Sequence, residues 1–173
     1  MRRLASLLLL CLAARAACAL EVAGVSPAAI RGAAKGDFSF GAIALKSVVW
    51  QDGAVVLPQT ENKGRKYSDV KLLSKSAYLK LEACFRDGFR KPARAPARPV
   101  FKIDELRRLK SPVRVANAEI SFDGELLVVA GVMASKKEEG SFWVAFPPEL
   151  VFNDPAFKSA VESAVIAAWA KKK

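Results

Sequence analysis

The chain has 173 residues, 28 of them Lys or Arg against 17 Asp or Glu, with no histidine and three cysteines. The missing histidine excludes His-based triads, His general bases and His metal ligands, and no Gly-rich phosphate loop appears, because Gly32, Gly36 and Gly41 lack its spacing and its Lys-Ser/Thr ending. What remains is a non-enzymatic binding protein without cofactor or metal, and its formal charge of +11 favours anionic partners such as nucleic acid, lipid headgroups or acidic wall polymers.

Residues 1–19 read as a secretory signal peptide. Arg2 and Arg3 form a positive n-region, and Leu4 to Ala14 runs apolar without a charge. That run is too short for a bilayer core of roughly 30 Å but suits a signal h-region. Ala17-Cys18-Ala19 supplies a small-x-small site, which places cleavage between Ala19 and Leu20 and the product in the periplasm or outside the cell. Lipidation of Cys18 is the weaker alternative, since Arg15 stands where an aliphatic residue is usual. Processing removes three arginines, which lowers the formal charge from +11 to +8, and leaves Cys84 alone. No intrachain disulfide is then available, and Cys84, within the apolar helical stretch Tyr78–Phe85, reads as a buried thiol.

In chain order, Glu21–Val25 reads as a short strand and Phe38–Gln51 as a longer one. Asp52-Gly53 is a tight-turn signal, Ala54–Leu57 the return strand, and Pro58 its end. Asn62-Lys63-Gly64 is a second turn and Lys66–Leu73 a further strand. Ser74 or Ser76 caps a helix running to about Arg86, with Tyr78, Leu81 and Phe85 at helical spacing on its core side. Residues 86–99 hold three prolines and five basic residues, a composition unfit for a helix or a central strand, and read as an extended linker. Beyond it, Phe101–Leu109 and Val113–Phe122 read as strands, Asp123-Gly124 as a hairpin turn and Glu125–Ala134 as the partner strand. Lys136–Gly140 is a polar turn, and Ser141–Phe146 a strand ended by Pro147-Pro148. Asp154 followed by Pro155 marks a helix start, the helix covering 155–170 with a stripe of Phe157, Ala160, Val161, Ala164, Val165 and Ala168.

The two halves, 20–85 and 100–173, therefore repeat one order: strand, hairpin, strand ending in proline, helix. Val55-Val56-Leu57-Pro58 parallels Trp143-Val144-Ala145-Phe146-Pro147. On these residues the chain resembles the SpoVG family, the bacterial septation regulators named from stage V sporulation. Lys102-Ile103-Asp104-Glu105-Leu106-Arg107-Arg108-Leu109 looks like the family's opening and Ala118–Leu126 like its hairpin. Gly140-Ser141-Phe142-Trp143-Val144-Ala145-Phe146-Pro147 looks like its signature strand, with Phe146 where Met is frequent. Lys46–Pro58 resembles the central strand, turn and signature strand, and Gln59–Leu73 has the length of the hairpin before the helix. The second half lacks room for that hairpin, and the first half shows no clean first hairpin.

The resemblance implies an α+β fold of two tandem SpoVG-like units, each a small antiparallel sheet with a C-terminal amphipathic helix, paired within one monomeric chain as a pseudo-dimer. It also implies septation, cell-division or nucleic-acid roles, although the family is cytoplasmic and this chain carries an export signal. The candidate anion-binding residues are Arg90, Lys91, Arg94 and Arg98 in the linker and Lys171, Lys172 and Lys173 at the end of the last helix, where cations also offset the helix dipole. The family resemblance puts nucleic-acid contact at and after that helix. Asp104-Glu105 and Glu138-Glu139 read as solvated surface, because neighbours on a strand point apart. Trp50, Trp143 and Trp169, all in apolar elements, read as core and not as stacking platforms. Three functions follow as expectations: an exported binding module for an anionic polymer, an envelope assembly factor acting through protein partners, and a nucleic-acid-binding regulator.

Overall fold

The computed structural model describes residues 19–62 and 64–172, with the backbone alone at Asn62. Residues 1–18 of the signal segment, Lys63 of the second turn and Lys173 of the terminal lysines lie outside the described residues. The first half runs β1 (Gly24–Ser26), β2 (Lys35–Ser39), β3 (Ile43–Gln51), β4 (Ala54–Val56), β5 (Thr60–Asn62), β6 (Arg65–Tyr67), β7 (Val70–Leu72) and α1 (Lys75–Asp87). The second runs β8 (Phe101–Arg108), β9 (Arg114–Phe122), β10 (Leu126–Ala134), β11 (Phe142–Ala145), β12 (Leu150–Phe152) and α2 (Pro155–Ala170). The fold is mixed α+β with antiparallel sheets and a C-terminal helix.

The Asp-Gly pairs turn where expected. Asp52 and Gly53 adopt φ of 52° and 76° between β3 and β4, and Asp123 and Gly124 adopt 49° and 66° between β9 and β10. Both residues of each pair lie in the left-handed region, which Asp tolerates and Gly occupies freely. Phe38–Gln51 is not one strand. Gly41, at φ 77°, breaks it into β2 and β3, and the Phe40 N–H donates to the Ile43 carbonyl at 2.8 Å to close the turn. The first half thus has the hairpin that its sequence conceals. Lys66–Leu73 likewise splits into β6 and β7, and the first strand is β1 rather than Glu21–Val25.

Two five-stranded sheets result, and each borrows a strand from the other half. One is ordered β1-β2-β3, with β12 on the first residues of the free edge of β3 and β4 on the last. The other is ordered β8-β9-β10, with β7 on the first residues of the free edge of β10 and β11 on the last. Thus β7, just before α1, joins the second-half sheet, and β12, just before α2, joins the first-half sheet. The pair β5-β6 stands apart as a two-stranded ribbon.

Both helices start as their capping residues dictate. The Ser74 hydroxyl accepts the Ala77 N–H at 3.0 Å and the Asp154 carboxylate accepts the Phe157 N–H at 3.0 Å, each satisfying one of the orphan donors of a first turn. Helix α1 buries Ala77, Leu81, Cys84 and Phe85; Tyr78 is half-buried, and its hydroxyl accepts the Val55 N–H at 3.1 Å. Helix α2 buries Phe157, Val161, Val165 and Trp169, a stripe narrower than expected, for Ala160 is exposed. At about 1.5–3 kcal/mol per fully buried large apolar side chain, that stripe contributes on the order of 8 kcal/mol before entropy is counted. The buried side chains of both halves form one continuous cluster. Phe85 packs edge-on against Phe38 and stacks on Trp50, while Phe122, Phe146, Phe152 and Phe157 contact one another across the second half. Trp143 departs from expectation: it is 52% exposed.

Candidate anion-binding surface

The basic linker is not a loose tether. Pro99 is buried. The Val100 N–H donates to the Asp123 carboxylate at 2.8 Å, and the Asp123 N–H returns a bond to the Val100 carbonyl at 2.8 Å. Partial burial raises the Asp123 carboxyl above its ordinary value, against that Val100 bond, which lowers it. Arg98 pairs with Asp154 and lies over the Phe157 ring, 5.7 Å from its centroid. The Asp154 carboxyl is held below its ordinary value first by the Phe157 N–H and then by the Arg98 guanidinium. Arg98, expected as one of four linker cations for an anion, is therefore committed to the start of α2.

Arg90, Lys91 and Arg94 differ. All three are exposed, and among the described residues none forms an ion pair. On the C-terminal side, Lys171 is exposed at the end of α2, whereas the Lys172 ammonium donates to the Leu106 carbonyl on β8. A 16-residue helix spans about 24 Å, so α2 holds the Arg98 end and the Lys171–Lys172 end apart. The six described cations of the seven read from the sequence do not form one site.

Cys84 is buried in α1 as expected, and desolvation pushes its thiol above the ordinary value, which makes it a poor nucleophile. Asp104 is exposed and pairs with Lys102 at 2.8 Å; that contact, followed by a hydrogen bond with Ser121, lowers its carboxyl.

A second group of polar residues was not legible in the sequence. Thr60, Tyr67, Asp69, Leu109, Arg114 and Asn117 line a pocket of about 280 Å³ between the β5-β6 ribbon and the second sheet. The β9-β10 ladder slips by one residue between Val132 and Met133, so that Arg114 stands opposite Met133 while Asn117 stands opposite Gly131. Cross-strand partners share a face, and residues two apart on β10 share a face. The bulge therefore brings Arg114 and Asn117 to the same side, although three positions apart they would ordinarily point oppositely. A Cβ on Gly131 would sit 2.8 Å from Arg114 Nε and 3.1 Å from its Cζ, so the absent side chain is the space in which the guanidinium lies. Arg114 Nε, Asn117 Oδ1 and Thr60 Oγ1 are each buried without a hydrogen-bond partner among the described residues. Arg65 and Lys66 on the ribbon, and Arg107 and Lys110 on the β8 side, are exposed nearby in the topology.

A scan against protein-family models finds no match, and searches of curated proteins and of solved structures find none. The SpoVG resemblance rests on the residues quoted for it above.

Proposed function

We propose that the chain is an exported, non-enzymatic SpoVG-like binding protein whose basic surface takes an anionic polymer, with its two halves paired as an intrachain pseudo-dimer. The reading is carried by Arg90, Lys91 and Arg94, exposed and without ion pairs on a linker whose distal end is pinned to the body. Pinning lowers the ordering entropy that a free tether loses on binding. The reciprocal placement of β7 and β12 supports the pseudo-dimer, because it gives the halves equivalent roles around one core. Export is supported by the position of Leu20, a residue 2% exposed: a chain starting there keeps every described core residue. N-terminal sequencing of protein recovered from the periplasm or medium should begin at Leu20. A start elsewhere, or a lipid-modified Cys18, overturns that part of the reading.

Binding to DNA, to an acidic wall polymer and to anionic vesicles should weaken steeply between about 50 and 200 mM salt, log affinity falling nearly one unit per log unit of salt for each phosphate neutralised. Replacing Arg90, Lys91 and Arg94 with Ser should flatten the slope by about two to three such units and leave the melting temperature unchanged. Arg98 is excluded from that variant because its loss releases Asp154. No binding at the low-salt end overturns the proposal.

A second reading, an envelope assembly factor with protein partners, is favoured by Trp143. It stands on β11, an outer strand, above a groove shared with Ile166, Ala167 and Ala170 of α2. Binding to an envelope protein that ignores salt and is lost in Trp143→Ser selects this reading.

A further inference from the structure

We infer that the pocket around Arg114 is a binding site for a small carboxylate with an N–H donor on its α-carbon, met in a free amino acid or at the C-terminus of a peptide. The inference does not rest on polyanion binding by the linker, and its residues are different ones.

The chemistry follows from the wall. A guanidinium presents parallel N–H donors that fit the two oxygens of a carboxylate. No ion pair or side-chain hydrogen bond engages that of Arg114 among the described residues, although Asp69 lines the same pocket. Thr60 adds a hydroxyl able to donate to an anionic oxygen. Asn117 Oδ1 and the Asp69 carboxylate are acceptors and ask for a donor on the guest. If the Asn117 amide is turned over, a donor takes the place of one acceptor, but Asp69 still selects for N–H. A simple anion would satisfy Arg114 and Thr60 and leave the acceptors facing negative charge. A guest with a carboxylate beside an N–H satisfies both kinds of group. Each buried polar atom left without a partner is costly, and three of the atoms in that condition belong to residues of this one pocket. Its volume of about 280 Å³ is below the usual range for drug-sized guests and suits a single amino-acid residue. The site is also built by the backbone: the β9-β10 bulge re-aims Arg114 and Gly131 gives it room, and bulges of this kind recur beside functional sites.

The test is a titration of the exported protein followed by ¹H–¹⁵N NMR at the Arg114 Nε–H signal. The probes are L- and D-alanine, N-acetyl-L-alanine, trialanine, L-alaninamide, propanoate and orthophosphate, each to roughly 10 mM, ample for a millimolar dissociation constant. Alanine or the two acylated carboxylates should shift the signal, while alaninamide should not, and propanoate and orthophosphate should bind at least roughly tenfold more weakly. Alanine without the acylated forms identifies a free amino acid, and the reverse identifies a chain terminus. Arg114→Gln should lower the affinity at least roughly tenfold, read from backbone amides of β9. So should Gly131→Ala, because the new methyl group displaces a flexible side chain and leaves the fold intact. The Arg90, Lys91 and Arg94 triple variant should bind the probes as the parent does, even if the polyanion reading fails. The inference is overturned if no carboxylate binds, if orthophosphate binds best, or if binding survives both Arg114→Gln and Gly131→Ala in folded protein.

Discussion

Produced as separate chains, residues 20–85 and 100–173 should each lack a cooperative unfolding transition, and mixing them should restore one. Each half contributes a strand that the other half's sheet needs. Without the second half, the first sheet loses β12 and leaves the Ile43–Leu45 edge of β3 unpaired. Without the first half, β10 loses β7 along Leu126–Val128. Two exposed strand edges and a halved core follow, in pieces of a size at which folding is marginal even when the core is intact. The expected loss is the whole stability of the domain, on the order of 5–15 kcal/mol. Circular dichroism through a denaturant series on each piece and on the mixture, with size-exclusion chromatography, checks it. Within the intact chain, Phe152→Ala should cost about 3 kcal/mol, since its ring lies 4.7 Å from that of Phe146 and 6.1 Å from that of Phe157. Halves that each melt cooperatively as monomers contradict the shared core.

The parts of this arrangement visible in the sequence are those fixed by short-range chemistry. Asp52-Gly53, Asp123-Gly124, Ser74 and Asp154-Pro155 each specify a local backbone state, and each sits where it was expected. Strand β12 went unseen because three residues after Pro147-Pro148 carry no period, and its pairing with β3 is a contact over about a hundred positions. Gly41 was hidden in an apolar run that reads as continuous strand. The linker was legible as a composition, but composition does not reveal that Arg98 turns back to Asp154. Arg114 and Asn117 were invisible for a geometrical reason: alternation assigns them to opposite faces, and only the bulge opposite Val132 and Met133 reverses that. Trp143 misled in the other direction, since hydrophobic neighbours on an outer strand do not cover a side chain as they would on a central one.

Replacing Glu125 with Ala should destabilise the protein by about 3 kcal/mol, the largest effect expected of any single polar substitution here. Glu125 follows the Asp123-Gly124 turn and is 9% exposed. One carboxylate oxygen accepts the Leu20 N–H at 2.8 Å and stands 3.6 Å from the Lys80 ammonium; the other accepts the Ser74 hydroxyl at 2.8 Å. Lys80 in turn donates to the Leu20 carbonyl at 2.9 Å and pairs with Glu21 at 3.0 Å. One side chain of the second half thus holds the first residues of the proposed mature chain and orients the hydroxyl that caps α1. Removing one partner of a buried charged cluster costs about 3–5 kcal/mol, and the lower end applies because Lys80 retains contact with solvent. Glu125→Gln keeps one acceptor but turns an amide donor toward either Leu20 and Lys80 or Ser74, so about half of the loss should remain. Processing before Leu20, as proposed above, also changes the chemistry of this contact. The Leu20 nitrogen then becomes an α-amino group, which with an ordinary pKa of about 8 is an ammonium at neutral pH. The hydrogen bond to the Glu125 carboxylate, already assisted by the charge of its acceptor, then joins two opposite charges. Denaturant unfolding should therefore find the chain that begins at Leu20 about 1 kcal/mol more stable than the same chain acetylated at that nitrogen. In the Glu125→Gln background the acetylation effect should shrink to near zero, which a double-mutant cycle reads directly. An acetylation effect that persists unchanged without the carboxylate would show that the N-terminal charge acts independently of Glu125.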